Sequence, residues 1–421
     1  MFTRRQFLTR TLQGSSLLAL GSVVPQFIAS TARAAEAGKD NVLVVVEMNG
    51  GNDGLNTVIP YADDLYHKAR TTLRLTRDQV VKVNDHLGLN PGMRSFGPML
   101  EKGQLAIVLG VGYPNPDRSH FESMDIWQSA DPRRQLKTGW LGRAASDLQF
   151  ARGGIPIMHV GPNRLPLALQ GTPGGAISVN NQMSYHLDLG GGSAAQRKAR
   201  RQLVEDLSRP AERDENGLLH FVQRRQVQTL TTLDRLREML KTAPANNNFF
   251  NQETGRFYTP NSLVMKLQLV AQLIARGFGT RVFYVMIDGF DTHADQAMQH
   301  RQLLAEVADG IKYFFDTLQA SGHAKRVRLL TFSEFGRRVQ ENGSKGTDHG
   351  SGSCLFVAGP SLKAGVVGEH PSLKDLDTGD LKAPIDFRRV YATLLDSWLG
   401  VDSKAVLGDK FEHLEGLKGK V

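Results

Sequence analysis

The sequence predicts an α/β protein with a mostly parallel sheet, and three observations lead to this fold class. Short apolar runs rich in β-branched residues, such as residues 42–46 and 282–287, are typical of strands buried on both faces. Longer segments that repeat apolar residues every three or four positions alternate with these runs and predict amphipathic helices. Glycine-containing polar loops follow several of the strands. Strands that alternate with helices imply a parallel sheet covered on both faces.

The first part of the chain supplies two predicted strands and the start of a helix. The strand at residues 42–46 ends in the turn 50–54, which is rich in glycine because its backbone favours residues without a side chain. A second strand at residues 105–109 is followed by a loop and then by Ser119 and Glu122. Serine and glutamate three positions apart form a capping box, so a helix is expected to begin at Ser119.

The middle of the chain departs from the alternation of strands and helices. Residues 153–192 are rich in Gly, Pro and Asn and predict an irregular segment with a short strand near 157–160. Residues 194–277 have helical periodicity and predict an inserted helical segment, interrupted by a surface loop at 242–261.

The alternation resumes after the insertion. Strands are predicted at residues 282–287, 327–332 and 355–358, and a helix is expected from about Asp295. The last helix, at residues 386–400, has an aspartate as its N-cap and a glycine at its end. No internal repeat of fixed period accompanies these elements.

Composition excludes several classes of protein. With 421 residues, 40% of them hydrophobic and 22% charged, the chain is long enough for one large globular domain. The net charge of +9 includes four arginines before residue 35, and the basic residues at 197–241 are interleaved with acids, as on a solvated helix face. Nucleic acid is therefore not expected as a partner. The single cysteine, Cys354, lies in an apolar run, so an intramolecular disulfide is excluded and a buried structural role is expected.

The first 34 residues have the pattern of an export signal. Arg4 and Arg5 form a twin-arginine motif, an apolar stretch follows at residues 17–28, and Ala32 and Ala34 supply an A-x-A cleavage site. A membrane anchor is less favoured, because the apolar stretch is shorter than the ~20 residues that span a bilayer. We expect a twin-arginine signal peptide over residues 1–34, the export machinery as a partner, no stable membrane anchor, and a periplasmic or extracellular mature protein.

Carboxylates and imidazoles follow the predicted strands in the C-terminal half. Asp291 and His293 come after one strand, Glu334 comes after the next, and His349 lies 15 residues further on. The carboxyl ends of parallel strands meet at one edge of a sheet, so these side chains are expected to converge there. Mixed oxygen and nitrogen ligands suit Zn²⁺ or Mn²⁺ better than Ca²⁺. The sequence predicts a divalent metal site, and the alternative is a set of solvated loop residues and helix caps.

Four other residues are candidates for the same site. Ser119 at a helix N-terminus is a candidate nucleophile, because the helix dipole and free N–H groups favour an alkoxide or phosphoryl group; the alternative is a simple cap. His120 is a candidate to orient substrate or bind metal, with a structural role as the alternative. Arg118 is a candidate to bind an anionic group. Asp53, in the glycine-rich turn, is a candidate metal ligand or a turn cap.

Eight short motifs together resemble those of a known family, the DUF1501 family of exported proteins, a branch of the alkaline phosphatase-like superfamily. The likeness covers nearly all of the chain after the signal peptide. The motifs are GGNDGLN (50–56), VIPY (58–61), RSHF (118–121), GWLGR (139–143), GFDTH (289–293), SEFGR (333–337), ENG (341–343) and GTDHG (346–350).

The resemblance implies an alkaline phosphatase-like three-layer core over residues 35–421, with the helical insertion at about 194–277. It also implies one or two metal ions that support an alkoxide attacking phosphorus or sulfur. Carried over by position, Asp53 matches the first-strand ligand, Ser119 the nucleophile, and His349 the late histidine. Asp291 and His293 match the mid-chain pair of ligands.

We therefore expect an exported metal-dependent hydrolase of phosphate-type or sulfate-type esters, acting on an anionic small-molecule or polymer ester. Asp53, Asp291, His293, Glu334 and His349 are the expected metal ligands, Ser119 is the nucleophile, and Arg118 or Arg337 neutralises the anion. The chain has Ser333 and Glu334 where phosphatases of the superfamily place an Asp-His pair, and it lacks the sulfatase signature around Ser119. This departure motivates the alternative, a non-catalytic periplasmic or cell-surface binding protein that retains the fold.

Overall fold

A computed structural model describes residues 41–418 of the chain with several gaps. The expected signal peptide and its cleavage site lie outside the described residues. The gaps are residues 149–154, 162–164, 173–174, 180–192, 208–222, 241–248, 253–254, 361 and 363–364, with further isolated positions between 224 and 240.

One mixed sheet forms the centre of the described structure. Its strands are β1 Val42–Asn49, β2 Leu105–Gly112, β3 Ile157–Val160, β4 Ile177–Val179, β5 Val282–Asp288, β6 Val327–Phe332, β7 Ser353–Ala358, β8 Gly365–Val367 and β9 Ile385–Asp386. Along the sheet they follow the order β8-β2-β7-β6-β1-β5-β3-β4, and β9 pairs with β2.

Most pairs in this sheet are parallel, as predicted. The central strand β1 pairs in parallel with β5 on one side and with β6 on the other, in a register that places Asn49 opposite Asp288. Strands β3 and β4 continue the parallel arrangement, whereas β7 runs antiparallel to β6 and β2. The predicted strands at residues 42–46, 282–287 and 327–332 and the mostly parallel α/β fold are confirmed.

Helices cover the sheet on both faces. Their bounds are α1 Gly54–Thr57, α2 Asp64–Ala69, α3 Gly97–Glu101, α4 His120–Ser129, α5 Trp140–Ala144, α6 Ala194–Leu207, α7 Leu263–Ala275, α8 Gln296–Ala320, α9 Phe387–Leu394 and α10 Ser403–Leu407. Short 3₁₀ turns lie at Pro91–Phe96, Leu167–Leu169, Ala324–Arg326 and Glu415–Leu417, and a π turn at Leu395–Leu399. Short strand pairs outside the sheet involve Val58–Ile59, Val81–Lys82, Gly88–Leu89, Phe249–Asn251, Arg256–Tyr258, Leu376–Asp377 and Asp380–Leu381. Among the described residues, none of the helices combines the length and apolar character needed to cross a bilayer.

The alternation of side chains along β1 produces two cores. Val44 and Val46 point to the face covered by α7 and α8, and Leu43 and Val45 point to the face covered by α4, α5 and α9. Successive side chains of a strand point to opposite faces, so one apolar strand supplies both layers. The fold is therefore three layers deep, with β1 at its centre.

The segment predicted as an insertion contributes to the core. Helix α7 buries apolar residues around most of its circumference and packs against α8, so it belongs to a main layer of the fold. The predicted surface loop at 242–261 includes a short hairpin in its described part, where the rings of Phe250 and Phe257 lie 4.5 Å apart. Cross-strand aromatic pairs of this kind stabilise a hairpin that propensity alone does not predict.

Candidate metal centre

Three segments meet at the carboxyl edge of the sheet and carry most of the candidate residues. Asp291 and His293 follow β5, and His349 lies in the loop between β6 and β7. His120 is the first residue of α4, which approaches from one face of the sheet. An isolated bridge between Arg337 and His349 holds two arms of the β6–β7 loop together. Residues distant in sequence thus reach one small volume.

The ring nitrogens of three histidines surround the carboxylate of Asp291. Nε2 of His349 lies 3.2 Å from Oδ1 of Asp291 and 2.9 Å from Nε2 of His293. Nε2 of His293 lies 3.0 Å from the same Oδ1, and Nε2 of His120 lies 3.4 Å from Oδ2. Ligand atoms around a tetrahedral Zn²⁺ with bonds of ~2.0–2.1 Å are roughly 3.3 Å apart. We call His120, Asp291, His293 and His349 the metal cluster, a candidate site in which the ligand atoms of His120, Asp291 and His349 all lie within 4.8 Å of one another.

The outer nitrogens of two of these histidines are fixed by hydrogen-bond acceptors. Nδ1 of His349 donates to the carbonyl oxygen of Arg118 over 2.8 Å, since a carbonyl can only accept. Nδ1 of His120 lies 2.7 Å from Oε1 of Glu334. Both arrangements leave Nε2 for the interior of the cluster, as in carboxylate–histidine–metal systems. Nε2 of His120 is buried and has no hydrogen-bond partner in the described structure, which fits the position of a metal ligand.

Glu334 supports this arrangement from beneath. Its side chain is fully buried, and Oε1 also accepts a hydrogen bond of 2.9 Å from the backbone N–H of Gly50. Oε2 accepts one of 2.9 Å from the hydroxyl of Ser333. Glu334 was expected to ligate the metal directly, but its oxygens are engaged by His120, Gly50 and Ser333. We therefore propose it as the orienting partner of His120.

Asp53 lies outside the metal cluster. Arg70 donates to both of its oxygens, over 2.6 and 3.0 Å, and Gln296 donates to Oδ2 over 2.5 Å. Burial raises the pKa of Asp53, but the Arg70 guanidinium outweighs that effect and lowers it to about 2. Asp53 also accepts a hydrogen bond from the N–H of Asn56 as the N-cap of α1. With its oxygens saturated, Asp53 does not fit the expected role of metal ligand; the alternative of a cap fits.

The two arginines expected to bind an anion are occupied. Arg337 is fully buried and donates to the carbonyl oxygens of Gly51 and Thr347 and, over 2.7 Å, to Oδ1 of Asp291. Burial raises the pKa of Asp291, but the hydrogen bond from Arg337 and the charge of its guanidinium outweigh this and lower it to about 2. Arg118 pairs with Asp380 over 2.6 Å. Arg337 therefore holds loops and keeps Asp291 ionised, and Arg118 is tied to a neighbouring loop.

Ser119 stands at the N-terminus of α4, as predicted, but the predicted capping box is wrong. Its hydroxyl makes no capping hydrogen bond, and the N–H of Ser119 donates to Asp117 instead. Glu122, the other member of the box, pairs with Arg134. The hydroxyl of the half-buried Ser119 is left without a partner among the described residues, beside His120 in the chain.

A large cavity opens next to the metal cluster. Its volume is about 1110 Å³, and His120 and Asp291 form part of its wall. Arg133 and Lys137 line the same cavity, and both are exposed. Glu47, a buried acid in the middle of β1, also lines it and was missed in the sequence. A single acid inside an apolar strand was the signal that could have found it.

Comparison with protein families identifies the chain. A family described as "Protein of unknown function (DUF1501)" matches residues 40–421. This match covers most of the chain and confirms the resemblance carried by the eight motifs. None of the curated proteins matches the chain.

Several solved structures are similar at low sequence identity. One is a sulfatase from Pseudoalteromonas sp., with 12% identity and a TM-score of 0.38 over 94% of this chain and 77% of that one. A protein in the alkaline phosphatase superfamily from Vibrio parahaemolyticus has 10% identity and a TM-score of 0.36 over 88% of this chain and 69% of that one. The alkaline phosphatase from the Antarctic bacterium TAB5 has 10% identity and a TM-score of 0.31 over 77% of this chain and 93% of that one. At such distances the substrates of these proteins do not transfer to this chain.

Proposed function

The chain belongs to the DUF1501 family, and from this premise we propose that it is an exported metal-dependent hydrolase of phosphate-type or sulfate-type esters. One observation carries the proposal: His120, Asp291 and His349 direct ligand atoms to within 4.8 Å of one another in the wall of a large cavity. Groups held this way in a cavity that admits a ligand form a reaction site rather than a closed structural one.

The metal cluster would hold one divalent cation, Zn²⁺ or Mn²⁺, through the imidazoles of His120 and His349 and one carboxylate oxygen of Asp291, which would leave a coordination position open. Such an ion supplies Lewis acidity, which stabilises negative charge on a phosphoryl or sulfuryl oxygen. Glu334 and the carbonyl oxygen of Arg118 orient two of the ligands through their Nδ1 atoms. Asp291 stays ionised because Arg337 donates to it.

Ser119 is the proposed nucleophile. Its hydroxyl is not used as a helix cap, and its neighbours Arg118 and His120 both contact members of the metal cluster or belong to it. The hydroxyl gives up its proton to water as its oxygen attacks the phosphorus or sulfur atom, and the bond from that atom to the leaving-group oxygen breaks. Water then hydrolyses the ester formed on Ser119. Arg133 and Lys137, which line the cavity, take the anion-binding role expected earlier of Arg118 and Arg337.

Metal content tests the centre first. Protein purified without its signal peptide is expected to contain one Zn²⁺ or Mn²⁺ per chain by elemental analysis, and His349→Ala is expected to lose it. His413→Ala is the matched control, because His413 pairs with Asp396 and not with the cluster. Retention of the metal in His349→Ala would refute the centre.

Hydrolysis tests the activity. The metal-loaded protein is assayed with 4-nitrophenyl phosphate, bis(4-nitrophenyl) phosphate and 4-nitrophenyl sulfate, and Ser119→Ala is expected to lose about 10²-fold or more in rate with its metal retained.

The alternative function, a binding protein, is favoured by one observation: the arginines nearest the cluster are both engaged in the fold. A metal-loaded protein that binds phosphate or sulfate but hydrolyses none of these esters would support that alternative.

A further inference from the structure

One apolar side chain in the wall of the large cavity is almost entirely exposed. Phe121 is 84% exposed, the largest fraction among the large apolar side chains of the described residues. It lines the cavity and directly follows His120 of the metal cluster in the chain. Contact between an exposed ring and an apolar group of a ligand removes both from water, which is favourable. The ring of Phe121 is therefore available to bind a ligand in this cavity.

Phe121 lies on the face of α4 that forms part of the cavity wall. Four residues of this helix line the cavity, namely Phe121, Met124, Asp125 and Gln128. Spacings of three, four and seven residues place them on one side of the helix. Along the helix axis, Phe121 lies only ~1.5 Å beyond His120, whereas Gln128 lies ~12 Å beyond it. Phe121 is therefore the first side chain of this face that a molecule held at the metal cluster meets.

The backbone that carries Phe121 is held in place on both sides. Nδ1 of His120, the residue before it, lies 2.7 Å from Oε1 of the buried Glu334. Ser123, two residues after Phe121, donates to the carbonyl oxygen of Glu334 over 2.5 Å, and its hydroxyl lies 2.9 Å from that of Tyr113. The ring is thus presented from a fixed backbone, which reduces the entropy lost when a ligand binds.

A loop contributes a second exposed apolar side chain to the cavity. Leu136 is 40% exposed and lines the cavity. Its backbone N–H donates to Oδ2 of the buried Asp131 over 3.0 Å, and the N–H of Gln135 donates to the same oxygen over 2.8 Å. Leu165 and Met286 also belong to the lining. Apolar side chains from α4, this loop, the segment before Leu167–Leu169 and β5 therefore line one cavity.

We propose that the substrate is an ester whose leaving group carries an apolar group the size of a phenyl ring, and that Phe121 binds this group. The inference rests on the proposed hydrolase function, because it takes the reacting phosphorus or sulfur atom to lie at the metal cluster. The leaving group starts at the oxygen bonded to that atom and therefore begins beside His120. Its apolar part then lies against the ring of Phe121. Offset or edge-to-face contact between two rings adds to the effect of burying apolar surface.

Two esters that differ mainly in the apolar group test this assignment. Ethyl phosphate and 2-phenylethyl phosphate both release a primary alcohol, so the ring is the main difference between them, and the matching sulfates repeat the comparison. For the metal-loaded wild type, we expect kcat/KM to be about tenfold or more higher for the 2-phenylethyl ester than for the ethyl ester. Phe121→Ala should lower this ratio about tenfold, and Phe121→Tyr, which keeps a ring, should retain it.

Phe257→Ala is the matched control. Phe257 is 76% exposed, but its ring lies against that of Phe250 in the hairpin Phe249–Asn251 and Arg256–Tyr258 rather than in the wall of this cavity. Its ratio of kcat/KM values for the two esters should equal that of the wild type. Elemental analysis of each variant confirms that its metal is retained.

The outcomes separate this inference from the hydrolase proposal. Hydrolysis with the same ratio in the wild type and in Phe121→Ala overturns the inference and leaves the hydrolase proposal intact. An equal fall on both esters in Phe121→Ala also overturns it, because the loss would then concern the reacting group and not the ring. A metal-loaded wild type that hydrolyses neither these esters nor the 4-nitrophenyl esters overturns the hydrolase proposal, and the inference with it.

Light scattering distinguishes a second explanation for the exposed ring. A wild type that is a dimer and a Phe121→Ala variant that is a monomer, with the ratio of kcat/KM values unchanged, would assign Phe121 to an interface between two copies of the chain. This result would overturn the inference. The same oligomeric state in both proteins, together with the expected fall in the ratio, supports it.

Discussion

Two polar clusters lie near the carboxyl edge of the same sheet, and they use the same kinds of residue to opposite effect. The buried ion-pair cluster consists of Asp53, Arg70, Gln296, His300 and Asn52. Arg70 and Gln296 donate hydrogen bonds to Asp53, and His300 is hydrogen-bonded to Asn52, the residue beside Asp53. The metal cluster consists of three histidines and Asp291, whose side chain is 46% exposed. Both contain an aspartate paired with an arginine, yet only the metal cluster fits a cation.

The difference lies in the balance of donors and acceptors. In the buried ion-pair cluster, Asp53 receives donors on both oxygens, and Nε2 of His300 lies 2.9 Å from Oδ1 of Asn52. In the metal cluster, Nε2 of His120 is buried and receives no hydrogen bond from the part of the chain that the structure describes, and Nε2 of His349 faces a carboxylate oxygen. Where acceptor atoms around one point outnumber the donors, a cation stabilises them. Where each acceptor already has a donor, no cation is needed. Counting donors, rather than residue types, therefore separates a ligand site from a structural one.

The largest expected effect comes from breaking the balanced set. Arg70→Met leaves the carboxylate of Asp53 buried without its cation, and we expect the free energy of unfolding to fall by about 3–5 kcal/mol. Urea unfolding measures this change. Arg389→Met, which breaks an exposed pair with Glu412, should change it by less than about 1 kcal/mol. A loss no larger in Arg70→Met than in this control would contradict the comparison.

The next effect depends on the metal. If the metal cluster binds a cation, the free energy of unfolding should rise by about 2.7 kcal/mol when the free metal is at 100 times Kd, and a chelator should reverse the rise. Thermal unfolding with and without Zn²⁺ and chelator measures it. His120→Ala should abolish the response and His413→Ala should keep it. A metal response that survives in His120→Ala would remove His120 from the cluster.

The pH dependence of stability gives a third, smaller effect. Because the pKa of Asp53 is about 2 in the folded protein and 3.8 is its ordinary value, its contribution is present above pH 3.8 and is lost as pH falls toward 2. The loss amounts to about 2 kcal/mol. The free energy of unfolding, measured with urea at several pH values between 2 and 5, should change less with pH in Asp53→Asn than in the wild type. An equal change with pH in both proteins would mean that Asp53 has the same pKa in the folded and unfolded chain.

The smallest effect concerns the serine beside the metal cluster. Since the hydroxyl of Ser119 caps nothing, Ser119→Ala should change the free energy of unfolding by less than about 0.5 kcal/mol. Ser262→Ala is the matched control, because the Ser262 hydroxyl accepts from the N–H of Met265 at the start of α7 and its loss should cost about 1 kcal/mol. Equal costs would return Ser119 to the role of a cap.

Much of the fold could be predicted from local patterns. The apolar runs at residues 42–46, 282–287 and 327–332 became the three central strands, because a strand buried on both faces has few alternatives. The prediction of a capping box at Ser119 was wrong because Glu122 forms an ion pair with Arg134, a residue outside the helix. Helix α7 was assigned to an insertion because periodicity reveals an apolar face but not what covers it.

For the site, the sequence by itself determined which chemistry is present and near which strand ends it lies. Asp291, His293 and His349 were placed there by topology alone. Only the tertiary structure decided the partners. Arg70 forms an ion pair with Asp53, and Glu334 lies within hydrogen-bond distance of His120, which is 214 residues away in the chain. The reason is physical. A strand or helix is set by neighbours in sequence, whereas the role of a buried carboxylate is set by whichever donors the folded chain brings within ~3 Å of it.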